Sequence, residues 1–197
     1  MSANAFLERV FANLPAARGG DLQFKAWRHA GRPTSEGVGT LAVPGVDVDK
    51  LAATIMNVGQ YKGNIDYVEE SRVISDPNHV APKAVRFYQR VKVPMLAQIQ
   101  MELVITDYGE RDGWRVLAWH QLDAETERLN SRQGARSDYN VGAWLLKPDA
   151  VAYALSSAPR KGDVGRLKFA ALTRGADASA AQVVKANIKG MVAWSRR

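Results

Sequence analysis

The chain contains no cysteine. Disulfides, zinc–thiolate centres, iron–sulfur clusters and thiol nucleophiles are therefore excluded, and nothing staples the fold covalently. Histidine is scarce: His29, His79 and His120 are the three present, and no two stand three or four residues apart. The paired spacing of a helical zinc site is missing. No apolar stretch approaches the 18 residues of a membrane-spanning helix. The first residues show no basic region followed by an apolar core and a small-residue cleavage site, which sets the expectation of a cytoplasmic chain. A Gly-x-Ser-x-Gly elbow, a phosphate loop and a calcium loop are also missing. Gly37-x-Gly39-x-x-Ala42 superficially matches a dinucleotide fingerprint, but that motif needs a helix opening at its end. Here Pro44-Gly45 cuts it off, so no cofactor and no metal are expected.

What remains is ordinary globular material. At 197 residues, 46% hydrophobic and 24% charged, the chain can bury a real core and has room for a cavity. Its net charge of +7 is unevenly spread. Residues 1–127 hold 14 Lys and Arg against 16 Asp and Glu, whereas 128–197 hold 13 against 4. A basic half of this kind is drawn to anionic membrane surfaces, nucleic acid or acidic partners, or is simply a well-solvated surface. The basic residues are scattered, and no aromatic-rich RNA-binding signature accompanies them. No nucleic-acid partner is expected; a transient contact with an anionic membrane surface is the functional reading.

The periodicity is helical at both ends and strand-like between. Residues 3–14 place Phe6, Leu7, Val10, Phe11 and Leu14 on one helical face before Pro15 and Gly19-Gly20 stop the run. Such a helix docks on the domain or lies on a membrane surface. Residues 15–36 are poor core material and hold one candidate strand, 22–29. A short strand over 34–44 is followed by a helix over 47–58, capped by Asp47. Strands are predicted over 67–75, 84–93, 97–106, 114–122, 136–146 and 151–157, with a turn at 108–113 and a polar loop at 123–135. The clearest amphipathic helix spans 177–197, where Ala181, Val184, Ile188, Met191 and Val192 form one stripe. A lone striped helix after a long antiparallel sheet packs across the sheet's concave face, and sheets of this length curl. The expected architecture is α+β, with an apolar space between sheet and closing helix.

In this order of elements the chain resembles the START-like superfamily, also called the helix-grip or polyketide cyclase/lipid-transport group. The residues carrying the resemblance are the strand-then-helix opening over 37–58, the Val93-Pro94-Met95 break, Gly142-x-Trp144-x-Leu146-x-Pro148, and Tyr153. The Arg-Asp pair that often follows the break in lipid-transfer members is absent, with Gln98 and Ile99 nearby instead. The Gly-x-x-Pro that commonly introduces the last helix is replaced by Gly162-Asp163-Val164-Gly165. The resemblance implies a helix-grip fold, a curved antiparallel sheet wrapped around a long C-terminal helix. It divides the chain into an N-terminal helix and extension (1–35) and a ligand-binding domain (36–197). It also implies a hydrophobic small-molecule partner, a lipid, sterol or quinone, held beneath the last helix.

Inward-facing positions give the candidate site. From the strands these are Phe87, Gln89, Ile99, Met101, Leu103, Trp114 and His120, then Asn140 and Trp144, with Tyr153 beside them. Val184, Ile188 and Met191 roof the space from the helix. Mostly apolar walls with a few placed polar groups (Gln89, His120, Asn140) describe a small-molecule pocket, although each residue alone is ordinary core. His120 faces inward if Trp114, Val116 and Ala118 do. It then serves as ligand donor or, in a cyclase/aromatase-like enzyme using the same cavity, as proton carrier. A one-residue shift of register exchanges Trp119 for His120 and Tyr139 for Asn140. A third class is an interaction module whose apolar groove takes a protein segment.

Overall fold

Alternating apolar and polar residues fix where the strands run, and the computed structural model, which describes residues 3–93 and 97–197, joins eight of them in one curved sheet. They are β1 (Gln23–Trp27), β2 (Glu36–Ala42), β3 (Val68–Val73), β4 (Ala84–Val93), β5 (Ala97–Arg111), β6 (Trp114–Gln121), β7 (Ala135–Lys147) and β8 (Ala150–Pro159). The helices are α1 (Ala3–Asn13), α2 (Val48–Met56), α3 (Asp123–Glu127), α4 (Lys161–Val164) and α5 (Arg166–Ser195). The strand order is β1-β2-β8-β7-β6-β5-β4-β3. Neighbours pair antiparallel, and a short parallel contact joins β5 to β7 through Ile99↔Ala135 and Gln100↔Arg136. The break expected at Val93-Pro94-Met95 runs into 94–96, outside the described residues.

Each face of the sheet has its own helical cover, because successive side chains of a strand point to opposite faces. On the concave face, Leu41, Phe87, Leu103, Ile105, Trp144 and Tyr153 pack with Leu51 and Ile55 of α2 and with Val184, Ile188 and Met191 of α5. On the other face, Phe6, Leu7 and Val10 of α1 pack against Val38, Trp114, Val116, Ala118, Val141 and Leu145. The N-terminal helix therefore docks on the domain. It is pinned by Arg9, whose Nε and Nη2 donate to the two oxygens of Glu36 at 2.7 and 2.8 Å, while Trp27 Nε1 donates to the same carboxylate.

Departures from the sequence expectations include three elements around the closing helix and β5, besides the short unpredicted α4. α5 begins at Arg166, eleven residues before the helix predicted from 177. Its early residues have good helix propensity but bury only Leu172 before Val184, so no apolar stripe announces them. β5 runs to Arg111 rather than stopping at 106, because a bulge between Asp107 and Gly109 carries the pairing around the bend. There Asp107 Oδ1 accepts the Gly109 N–H at 2.8 Å, and Gly109 adopts φ 79°. The predicted polar loop at 123–135 contains α3, a single short helix.

Candidate functional site

The register places eleven of the sequence-predicted site residues on the concave side. Phe87 and Gln89 stand on β4, Ile99, Met101 and Leu103 on β5, Asn140 and Trp144 on β7, and Tyr153 on β8. Val184, Ile188 and Met191 face them from α5. Trp114 and His120 do not join this group. On β6 the inward residues are Leu117 and Trp119, while Trp114, Val116 and Ala118 pack under α1. Two local causes set this register. The apolar stripe of α1 takes Trp114, Val116 and Ala118 as its partner. On the concave side, Gly142 lies opposite Trp119 and leaves room for the indole, for a Cβ there would meet the Trp119 ring at 2.0 Å.

His120 consequently lies on the α1 side of the sheet, half-buried, between Val104 and Val141 in register. Its Nδ1 is buried and has no hydrogen-bond partner among the described residues. Burial pushes its imidazole below the ordinary value of 6.5. In the concave interior, Trp119 Nε1 donates to Asn140 Oδ1 at 2.7 Å, and Asn140 Nδ2 lies 3.2 Å from Met101 Sδ. Trp119 and Trp144 both pack on Tyr153, at ring-centroid distances of 5.6 and 4.4 Å. Burial pushes the Tyr153 phenol up, so the hydroxyl stays protonated at neutral pH.

The concave side divides into a filled half and a looser half. Phe87, Met101, Leu103, Val184, Ile188 and Met191 are each at most 3% exposed, which makes them close-packed core. Gln89, Val91, Ile99, Asn140 and Leu155 on the same face remain half-buried. The difference originates in α5. Its sheet-facing stripe carries the bulky Val184, Ile188, Met191 and Val192 in the C-terminal half, all buried. In the N-terminal half the same stripe reads Thr173, Asp177, Ala180 and Ala181, all half-buried, and the bulky Phe169 (half-buried) and Leu172 (buried) come only nearer its start. Small side chains hold this part of the helix over the sheet, and Val91, Ile99 and Leu155 pack at the margin of the concave core while keeping partial exposure. Asp177 ties this half down: its Oδ2 accepts from Arg28 Nη2 and its Oδ1 from the Ser35 backbone N–H, both at 2.8 Å.

Where β5 begins, a recess of 260 Å³ is lined by Ala97, Gln98, Ser131, Arg132, Gln133 and Gly134, with Val164 and Lys168 at its helical side. Its one lining carboxylate, Asp163, is clamped by Arg136 through the backbone N–H, Nε and Nη2 at 2.8–2.9 Å. The Arg136 guanidinium holds that carboxyl below the usual carboxylate range. Among the described residues, no three His, Asp or Glu side chains converge as metal ligands would. No helix among them is long and apolar enough to cross a membrane.

Sequence reasoning missed Val91, Leu155 and the early stripe of α5. The first two follow from period two, being next on their faces after Gln89 and Tyr153. The α5 residues lay outside the helix that the apolar stripe revealed, and the recess is assembled from segments far apart in sequence.

No protein-family model and no curated protein matches the chain. Solved structures do match. A fragment of a STAR-related lipid transfer protein from Xanthomonas axonopodis is 14% identical, with a TM-score of 0.72 over 92% of this chain and 97% of that one. Human StAR-related lipid transfer protein 5 is 10% identical, with a TM-score of 0.70 over 99% and 96% of the two chains. The Zhui aromatase/cyclase from Streptomyces sp. R1128 is 13% identical, with a TM-score of 0.53 over 90% and 95%. Likeness at such low identity is likeness of fold, and the fold is the START-like helix-grip.

Proposed function

We propose that this protein binds and carries a hydrophobic small molecule, a lipid, sterol or quinone, between the concave face of the sheet and the N-terminal half of α5. One observation carries the reading: the sheet-facing stripe of α5 changes from small to bulky residues along its length, and on the concave face Gln89, Val91, Ile99, Asn140 and Leu155 remain half-buried beside a closed core. Val91, Ile99 and Leu155 offer apolar surface, whose burial contributes about 25 cal/mol per Å² before the costs of association. Gln89 and Asn140 offer the few polar groups that orient a head. The lipid transfer proteins among the structural neighbours support this class of ligand. Residues 36–197 form the ligand-binding unit in this reading, and residues 1–35 cover its outer face and one sheet edge. The cyclase/aromatase alternative took its proton carrier from His120, which lies on the opposite face.

Native mass spectrometry of protein purified from its own host, followed by organic extraction, tests the proposal. A stoichiometric apolar adduct is expected. A protein that arrives empty and takes up none of the lipids offered to it afterwards ends the carrier reading. The basic C-terminal half would bring the carrier to anionic bilayers, so its co-sedimentation with anionic vesicles should weaken as salt is raised. Association that ignores salt removes the electrostatic part.

A further inference from the structure

Building on that carrier reading, we infer that the recess at the start of β5 seats a phosphate-bearing headgroup, so that the ligand is an anionic amphiphile with its tail under α5. The recess lies at the start of β5 next to the looser half of the concave face, sharing backbone neighbours with it. Ala97 of the recess is on the same face of β5 as Ile99, and Ala135 is the Cα partner of Ile99. A molecule whose apolar part lies on Ile99 and Val91 therefore brings its head to Arg132 and Lys168.

The charge of the recess selects that head. Asp163 is spent on Arg136, as described above. Among the described residues neither Arg132 nor Lys168 has a carboxylate within ion-pair distance, so the two cations remain uncompensated. Ser131, Gln133 and Gln98 add neutral donors. The segment presenting them is braced. Asn130 Oδ1 accepts the Arg132 N–H at 3.0 Å, and the Asn130 carbonyl accepts the Gln133 N–H at 3.0 Å. Gln100 Nε2 donates to the Asn130 and Gly134 carbonyls at 2.8 and 2.6 Å. Two cations and several neutral donors on a braced loop suit a tetrahedral group with three free oxygens better than a carboxylate with two, because charge-assisted bonds are the strong ones and an unmet donor weakens the fit. The volume, 260 Å³, is that of roughly nine liquid waters. Open to solvent on one side, it accommodates a phosphate with a glycerol-sized linker.

The test compares three probes on the full chain: a fluorescent lysophosphatidate below its micelle concentration, the monoacylglycerol with the same tail, and inorganic phosphate. The wild type should bind the phosphate-bearing lipid at least ~10-fold more tightly than the neutral one, and inorganic phosphate far more weakly than either. The R132Q/K168Q variant should lose about that tenfold preference while keeping its affinity for the monoacylglycerol. The R128Q/R174Q variant removes the same net charge from exposed sites outside the recess and should keep the preference. Equal affinity of the wild type for both lipids overturns the headgroup assignment and leaves the carrier reading standing. Binding of neither lipid overturns both. Inorganic phosphate binding as tightly as the lysophosphatidate, or equal loss of preference in the two variants, refutes the inference in favour of a free-anion site or of bulk charge.

Discussion

An alanine at position 142 would put a Cβ 2.0 Å from the Trp119 ring and 2.6 Å from the Ala154 carbonyl oxygen. The carbonyl belongs to the paired strand and cannot yield. Gly142→Ala should therefore cost about 3 kcal/mol in denaturant unfolding, at the upper end of overpacking effects. Two titrating side chains shape stability in acid. The unfolded chain protonates His120 near its ordinary 6.5, but burial holds the folded value lower. The unfolded state thus binds more protons in that interval, and stability falls as pH drops from about 6.5 through the folded value. Asp76, held at about 2 by the Asn78 N–H, His79 and Arg86, contributes stability above 3.8 that is lost as pH falls toward about 2. Urea midpoints across pH should show both segments, with His120→Gln flattening the upper and Asp76→Asn the lower. At this level the sequence was legible only where one face of a strand was clearly polar. β4 sets Arg86, Arg90 and Lys92 against Val85, Phe87 and Val91, so its inward face could be read. β6 is apolar on both faces through Val116, Leu117, Ala118 and Trp119, and the docked α1 and Gly142 decide which face turns inward.

α5 is one helix with two kinds of packing. Ile188→Ala removes buried contacts in the closed half and should cost about 2–5 kcal/mol. Leu167→Ala, at a residue 90% exposed, should stay within about 0.5 kcal/mol of the wild type. Ala181→Phe has a different purpose: the ring fills the space beneath the looser half. A folded, equally or more stable protein that no longer takes up lipid is the expected result, read by thermal melt and by probe uptake together. Retained uptake would show that the ligand lies elsewhere. The closed half was legible because Val184, Ile188 and Met191 repeat at helical spacing. The looser half was not, because Thr173, Ala180 and Ala181 look like polar or neutral helix surface, and only the sheet below gives them a face. The end of β5 was missed for a related reason, since a bulge breaks alternation without ending the pairing.

The whole domain is a sheet gripped from both sides, and its outer grip includes one buried carboxylate beside the apolar packing of α1. Glu36 is fully buried and Arg9 compensates it from α1. Arg9→Ala leaves that charge, among the described residues, with the Trp27 N–H as its side-chain donor and should cost about 3 kcal/mol in equilibrium unfolding. The order of elements, with a closing helix laid across a curled sheet, was readable from periodicity and the helix-grip architecture from the resemblance, whereas the recess near Ile99 needed the return of β7 to β5 and could not be seen in one dimension. The Arg28–Asp177–Ser35 tie also has a consequence in time. A partly exposed ion pair contributes about 0–1 kcal/mol and a charge-assisted bond to a backbone amide about 1.5–3. Taken alone, a catch of on the order of 2–4 kcal/mol would leave roughly one molecule in 30 to one in 1,000 ajar at equilibrium. For the proposed carrier, entry would then be gated by a rare state already present in the empty protein, its frequency set by a side chain 149 positions from its partner in the chain.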